Sequence, residues 1–385
     1  MKKSTFIKPI HFFCGLLLLF LTIFIRVTGQ SSGRIEINIP EIPGYVTLKC
    51  DFHMHTVFSD GLVWPTIRTE EAWMQGLDAL SITDHIEYQP HKNDIQANHN
   101  RSYELAINSS GSYDLLLIRG AEITRDMPPG HLNAIFLKDA NLLDTKEYKD
   151  AIKAAINQEA FIFWNHPGWK AQQPDTTRWF PEHTELYEKG WLHGIEVVNG
   201  GEYYPEAHQW CLEKKLTMIG NSDIHGISMN YNCAKGKHRP VTLVFAKEKT
   251  DKALKEALFD RRTVIYYENI LIGEEKFLLP IFNQSVEIKN SDLTIEDGVN
   301  VQIHNHSDIS YILESHGESK EVTGPKKITL PAHKTILFKI NNNLKDFSGE
   351  KKVSLPYRVK NLLIAPQEGL PVKINLNMIF VSKEE

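Results

Sequence analysis

The sequence predicts an α/β domain followed by a smaller all-β domain, and two observations carry this prediction. Between residues 46 and 267, short apolar segments alternate with helix-like segments, which is the pattern of a parallel sheet or barrel. After Tyr267 the chain changes to short segments of alternating polarity, separated by turns that contain Asn, Asp, Gly and Pro. With 385 residues, 42% of them hydrophobic, the chain is long enough to bury a core in each part.

The elements of the first domain follow from the period of their apolar residues. Strands are predicted at 46–50, 77–82, 115–118, 135–137, 161–164, 194–198, 216–219 and 241–245. Helices are predicted at 67–75, 148–159, 205–215 and 251–259.

The second domain is predicted as a small sandwich-like β domain. Its strands are expected at 299–304, 327–330, 335–340, 362–364 and 372–379. The boundary between the domains is placed between residues 275 and 276, so that the first domain spans 30–275 and the second 276–385.

Residues 1–29 differ from the rest of the chain and predict a signal peptide. They contain no acidic residue, and an apolar segment at 12–25 is shorter than the roughly 20 residues that a membrane-spanning helix needs. Small residues at 27–29 favour cleavage there, so we expect a periplasmic protein with no membrane span after cleavage. Because Arg26 directly follows the apolar segment, an uncleaved N-terminal anchor is the alternative.

The charge and the cysteines exclude two further classes of protein. Lys and Arg number 43 and Asp and Glu number 48, and loss of the four basic residues of 1–29 leaves a net charge of −9. Such a surface repels a phosphate backbone, so we expect no nucleic-acid partner. The three cysteines beyond residue 29 form no C-x-x-C pattern and predict buried thiols rather than a disulfide framework.

Imidazole and carboxylate side chains follow the predicted strands of the first domain, where a barrel carries its active site. In the segment 51–55, the period of a strand places His53 and His55 on one face. The other fragments are Ser59-Asp60, Thr83-Asp84-His85, Gly120-Ala121-Glu122, His131, His166-Pro167 and Ser222-Asp223-Ile224-His225. Each fragment is weak alone, and the order of the set carries the prediction.

This order resembles the PHP family, named for polymerase and histidinol phosphatase domains. The resemblance covers about residues 48–267 and implies a distorted (β/α)7 barrel that holds two or three divalent ions. It implies a first metal among His53, His55, Glu122 and Asp223, a second among Glu122, His131 and His166, and a third among Asp60, His85 and His225. These ligand types suit Mn, Zn or Fe and leave the choice among them open.

The resemblance also implies hydrolysis of a phosphate ester by a hydroxide that bridges two metals. We expect Asp223 to accept the proton of the attacking water and Asp84 to orient an imidazole from behind the ligands. The remaining histidines of the first domain, including His183, His193 and His208, are predicted to be structural.

Several segments around the ligands, including 55–66, 120–131 and 163–169, look like the Sb-PDE type of PHP protein, which implies a phosphate diester as the small-molecule substrate. The same loops are rich in Trp and Tyr and poor in cationic residues. The nearest candidates to bind the phosphate are Arg125, His91 and Lys92. Arg125 is also a candidate catalytic residue. The alternatives are a phosphomonoesterase for a small sugar, nucleotide or amino-alcohol phosphate, and a non-catalytic envelope-binding protein. The oligomeric state stays open.

Overall fold

The computed structural model of the protein describes residues 33–382 apart from 96–97, 229–237 and 291. The predicted signal peptide lies outside these residues. In the part of the chain that is described, no helix is both long and apolar enough to cross a membrane.

The first part of the chain alternates strands and helices. Its strands are β1 Val46–Asp51, β2 Ala79–Ile82, β3 Leu116–Ile123, β4 Leu132–Ile135, β5 Phe161–Trp164, β6 Gly194–Asn199, β7 Glu202–Tyr203, β8 Thr217–Asn221, β9 Val241–Ala246, β10 Thr263–Tyr267 and β11 Ile270–Gly273. Its helices are α1 Pro65–Met74, α2 Arg101–Ser112, α3 Tyr148–Ile156, α4 Pro181–Glu188, α5 Pro205–Lys214 and α6 Asp251–Phe259, with a 3-10 helix at Ala140–Leu143.

These strands form a barrel-like sheet. Strands β1, β2 and β3 pair in parallel, as do β5, β6 and β8, whereas β4 runs antiparallel between β3 and β5. Strand β9 pairs antiparallel with β1, and β10 with β9. The strands are buried on both faces, as in β5 (Phe-Ile-Phe-Trp), because helices cover the outside.

Contacts of β8 with β9 and β10 bring the two ends of this sheet together. The Thr242 hydroxyl bonds both the backbone N and O of Gly220, at 2.9 and 2.8 Å. A Cβ on Gly220 would lie 2.3 Å from Ile265 Cγ2, so only glycine permits this approach. Beyond the strands, Met54 forms a parallel bridge with Ile224. The segments after β1 and β8 therefore lie side by side.

The rest of the chain is all-β after one helix, α7 Glu275–Ser285. Its strands are β12 Val286–Ile288, β13 Asp292–Ile295, β14 Gly298–Asn305, β15 Tyr311–Ser315, β16 Val322–Thr323, β17 Lys327–Leu330, β18 Thr335–Asn342, β19 Gly349–Ala365 and β20 Glu368–Phe380. They form two layers, one of β12, β14, β18 and β16 and one built on the long β19–β20 hairpin. Strand β19 also pairs in parallel with β11 of the barrel, so one sheet runs through both parts.

The predicted fold class, an α/β barrel followed by an all-β domain, is confirmed. The sequence did not predict α2 or α4, or the hairpin of β10 and β11, which extends the barrel sheet towards the second domain. Helix α7 was also missed, because Pro280 interrupts its pattern. The predicted boundary between 275 and 276 falls at the start of this helix, whose buried Leu278 and Ile281 belong to a core shared by both parts.

Three histidines outside the barrel mouth are neutral groups, of which His183 and His208 are buried and His193 is half-buried. Burial lowers the pKa of His183, His193 and His208 to about 4 in each case. The ring of His183 stacks on Trp164 at 3.7 Å between centroids, and its Nε2–H donates to the carbonyl of Pro129 at 2.7 Å.

We expect the stability of the protein to fall as the pH is lowered from 6.5 to 4. A folded-state pKa of about 4 lies below the ordinary value of about 6.5, so the unfolded state binds more protons in this interval and stability rises with pH. His183→Gln is expected to lower stability at pH 7.5 and to reduce the loss between pH 7.5 and 4.5 by roughly 2 kcal/mol. Urea unfolding of chelated wild-type and variant proteins at both pH values measures this difference, and equal losses would contradict it.

Candidate metal centre

The predicted ligands converge where the strands end, at one mouth of the barrel. His53 and His55 follow β1, and the bridge between Met54 and Ile224 holds their segment against the one that carries Asp223 and His225. A second bridge joins His85, after β2, to Glu122 in β3. The parallel order of the strands thus turns ligands that are far apart in sequence into neighbours.

The pair of imidazoles after β1 faces two carboxylates. Nε2 of His53 and Nε2 of His55 lie 3.1 Å apart, and both are 3.3 Å from Glu122 Oε2. Asp223 Oδ1 lies 3.2 Å from His53 Nε2 and 3.1 Å from His55 Nε2. Asp223 has a φ of +51°, a left-handed backbone that few residues other than glycine adopt and that is often found at functional sites.

Glu122 is fully buried and presents its two oxygens to different groups. Oε1 lies 2.9 Å from His131 Nδ1 and 3.6 Å from His166 Nε2, and it accepts a hydrogen bond from Asn165 Nδ2 at 2.8 Å. Oε2 lies 3.1 Å from His85 Nδ1 as well as near the pair after β1. This position between groups is the one that a bridging carboxylate takes.

Asp60 forms the third group. Its Oδ1 lies 3.2 Å from His225 Nε2, 3.5 Å from His85 Nε2 and 3.6 Å from His55 Nδ1. The His55 ring stacks against those of His85 and His225, at 4.5 and 4.2 Å between centroids.

All nine predicted ligands therefore lie in one connected cluster. Their donor atoms form four groups within 4.8 Å, namely His55/Asp60/His85/His225, His53/Glu122/His166, His53/His55/Asp223 and His85/Glu122/His131. The groups overlap more than the resemblance implies, since His55 joins the third set and His85 also joins Glu122 and His131. The assignment of each ligand to one metal stays a prediction.

The chemistry of this cluster fits divalent cations. Two buried oxygens, Asp60 Oδ1 and Asp223 Oδ1, have no hydrogen-bond donor although they face imidazole nitrogens. Burial by itself raises the pKa of Glu122, but the imidazoles of His85, His53 and others outweigh it and hold that pKa well below the usual range. The carboxyls are therefore ionised, as ligands must be. Burial lowers the pKa of His55, which favours the neutral form that binds metal.

Glu196, which was not predicted from the sequence, holds two of the predicted ligands, His53 and His166, in place. This buried carboxylate in β6 lies 2.8 Å from His53 Nδ1 and accepts a bond from the backbone N of His166 at 2.8 Å. Asn199 and Asn221 donate to its two oxygens at 2.8 and 2.9 Å. A carboxylate on the far nitrogen of a metal-binding histidine fixes its tautomer and orientation. In the sequence, Glu196 stands out only as the one charged residue of the predicted strand 194–198.

Arg68 of α1 joins the loops after β1 and β8, which together carry five of the ligands. Its guanidinium is fully buried, and all its nitrogens donate. Nε donates to the carbonyl of His55 at 2.8 Å, while the terminal nitrogens donate to the carbonyls of 224, 225 and 226 at 2.8 to 3.1 Å and to Glu71 at 2.7 Å. The fork shape of arginine allows one side chain to hold all these acceptors.

Asp84 reaches the ligands only indirectly. Its carboxylate accepts from the backbone N and hydroxyl of Thr56, at 2.6 and 2.7 Å, and from Ser59 Oγ at 2.8 Å. Ser59 Oγ in turn lies 3.3 Å from His55 Nδ1. Asp84 thus shapes the loop between His55 and Asp60, and it reaches an imidazole only through Ser59.

A cavity of about 400 Å³ opens onto the cluster. Beside the ligands it is lined by Trp169, Tyr204, Glu202, Asn199, Ser222 and two glycines, all from the barrel. Trp164, which lies in the aromatic-rich segment 163–169, is instead buried in the core.

The three residues predicted to bind phosphate do not line this cavity. Arg125 forms an ion pair with Glu87 and donates to the carbonyl of Thr145 at 2.9 Å. His91 and Lys92 lie on a polar surface loop. Arg125 was predicted to bind phosphate because it lies three residues after Glu122 in the sequence. In the structure its guanidinium is bound instead by Glu87 and the carbonyl of Thr145.

The fold and this cluster define a class, the α/β-barrel hydrolases whose site is a set of His, Asp and Glu metal ligands. A crystal structure from Bacteroides vulgatus, described as a two-domain protein containing a predicted PHP-like metal-dependent phosphoesterase, is 49% identical, with a TM-score of 0.85 over 89% of this chain and 99% of that one. The chain belongs to this family of PHP-like metal-dependent phosphoesterases.

Two other comparisons cover parts of the chain. A family model described as an Ig-like domain matches residues 286–375. An uncharacterized protein of Methanocaldococcus jannaschii is 28% identical over 167 residues, which are 40% of this chain and 72% of that protein.

Replacing Glu122 is expected to remove metal without unfolding the protein. Glu122→Gln keeps the shape of the side chain but loses the charge that several imidazoles surround, so we expect metal affinity to fall by more than about 100-fold. Elemental analysis after dialysis and circular dichroism measure metal content and fold, with the exposed Glu104→Gln as control. Full metal content in Glu122→Gln would show that this carboxylate is not a ligand.

Arg68→Lys is expected to weaken metal binding through the loops that Arg68 holds. Lysine keeps the charge but has three donors, whereas Arg68 binds five acceptors. Some of the carbonyls of residues 224–226 therefore lose their donor, and His225 is no longer held in position. We expect a roughly 10- to 100-fold loss of metal affinity in chelator competition, with the exposed Arg101→Lys unchanged. If Arg68→Lys lowers thermal stability alone and leaves metal affinity intact, Arg68 has only a structural role.

Proposed function

We propose that this protein is an exported, metal-dependent phosphodiesterase, which converts a phosphate diester into a monoester and an alcohol. Membership of the phosphoesterase family sets the reaction class, and the step from phosphoesterase to diesterase is the proposal. The observation that carries it is the lining of the cavity at the metal centre.

Among the described residues, no Lys or Arg lines this cavity. A phosphate monoester carries close to two negative charges near neutral pH and is usually held by several cationic side chains. A diester carries one charge and two organic arms, so it needs less cationic compensation and more apolar wall. Trp169, which is 43% exposed, and Tyr204 supply such a wall beside the ligands.

The protein's own groups can hold the ions and the substrate in place. The nine ligands would bind two or three divalent ions, which when bound supply Lewis acidity and an acidified water. Asp223, anchored at Oδ2 by Asn199 Nδ2 at 3.3 Å, points its other oxygen into the cluster. Its pKa, which burial would raise, is held well below the usual range by His53 and His55, so the group is ionised. Its role as proton acceptor stays part of the proposal.

Two further features support the proposal. The segments that resemble the Sb-PDE type, among them 120–131 and 163–169, build the walls of this cavity. Export rests on the composition of residues 1–29, and the acidic net charge of the chain supports a small-molecule substrate rather than a nucleic acid.

Turnover of bis(p-nitrophenyl) phosphate against p-nitrophenyl phosphate tests the proposal. Because the cavity lacks the cations that a dianion needs, we expect kcat/KM to favour the diester by at least about tenfold. Chelation should abolish both activities, and addition of Mn, Zn or Fe should restore them. A preference for the monoester would support the phosphomonoesterase alternative, and a metal-loaded protein inert towards both esters would support the binding protein.

A further inference from the structure

Glu202 is the one carboxylate that lines the cavity without belonging to the metal cluster of the described residues. It lies in the short hairpin of β6 and β7, where it pairs with Asn199, and Asn199 in turn contacts Asp223. This pairing places Glu202 beside the metal centre. The carboxylate is exposed, and no cationic side chain is bonded to it among the described residues.

Tyr204 links the Glu202 carboxylate to the turn that precedes Trp169. The Tyr204 hydroxyl donates to Glu202 Oε2 at 2.9 Å. The Tyr204 ring packs on the turn before Trp169 so closely that a Cβ on Gly168 would lie 2.6 Å from its Cδ1. The hairpin and the turn thus bring a carboxylate and an indole to one wall of the cavity.

Trp169 connects this wall to the reaction centre. Its ring lies 5.3 Å from that of His166 and 5.7 Å from that of His131, both predicted metal ligands. The indole is 43% exposed and lines the cavity with Glu202. A group attached to a phosphate at the metals would extend across this surface.

An exposed indole with a carboxylate suits an organic cation. The face of Trp attracts an ammonium group, and a carboxylate adds Coulomb attraction. An anionic arm would be repelled, because three carboxylates of the cluster and Glu202 line the cavity with no Lys or Arg among the described residues. The bound divalent ions would offset the ligand carboxylates and leave Glu202 uncompensated.

We infer that the protein selects phosphate diesters in which one arm carries an ammonium group, and that Glu202 and Trp169 determine this specificity. The inference rests on the proposed function. In the reaction, the oxygen of water forms a bond to phosphorus, the bond to the other arm breaks, and that arm leaves as an alcohol or phenolate. The ammonium-bearing arm stays on the monoester product.

Two chromogenic diesters of equal shape test this inference. They are p-nitrophenyl phosphorylcholine and p-nitrophenyl 3,3-dimethylbutyl phosphate, which differ in that a quaternary nitrogen replaces a carbon and which release the same p-nitrophenolate. We expect the metal-loaded wild type to favour the cationic diester about tenfold in kcat/KM. Because both diesters release the same leaving group, a change that affects the chemical step equally for both leaves the ratio of their kcat/KM values unaltered.

Variants assign the preference to the two residues. Glu202→Gln and Trp169→Leu are each expected to lower the ratio severalfold, while Glu213→Gln, an exposed change in α5, keeps the wild-type ratio. The preference should also shrink in high salt, because Glu202 is exposed.

Three results would overturn the inference. Equal turnover of both diesters would reject it and leave the phosphodiesterase proposal intact. Retention of the preference in Glu202→Gln would show that a group other than Glu202 recognises the ammonium charge. Failure to hydrolyse either diester, together with inert bis(p-nitrophenyl) phosphate, would reject the proposed function and this inference with it.

Discussion

The structure depends on a concentration of charge at the barrel mouth. Glu122 is wholly buried, and imidazoles surround it in place of water. Buried carboxylates are costly unless cations or hydrogen-bond donors compensate them, so this arrangement makes sense as a binding site for divalent ions. Much of the polar structure nearby serves to hold these groups in place.

Two buried hydrogen-bond networks, around Glu196 and Arg68, hold the predicted metal ligands in place. Glu196 gathers groups from three strand ends, contacting His53, Asn221 and the backbone of His166. Arg68 fastens the loops after β1 and β8 through their carbonyls. Because both networks lie behind the ligands, they can fix the side chains while the cavity side stays open to a substrate.

The all-β part packs directly on the barrel but contributes none of the described residues that line the cavity. Its strand β19 continues the sheet at β11, and helix α7 packs its apolar face into the common core. Among the residues that the structure describes, all that line the cavity precede residue 226 and belong to the barrel. A shared sheet edge is also shielded from pairing with other chains.

The sequence by itself determined the ligand types and their order, because strand ends in an α/β barrel meet at one mouth and a short H-x-H or D-x-H fragment keeps its geometry locally. It also determined the change from α/β to all-β character, since periodicity is a local property. It could not assign Arg125, whose partner Glu87 is chosen by the packing of two loops, nor find Glu196, which looks like one polar residue in an apolar strand. The tertiary structure alone decided which charges face the cavity, because that depends on contacts between residues far apart in the chain.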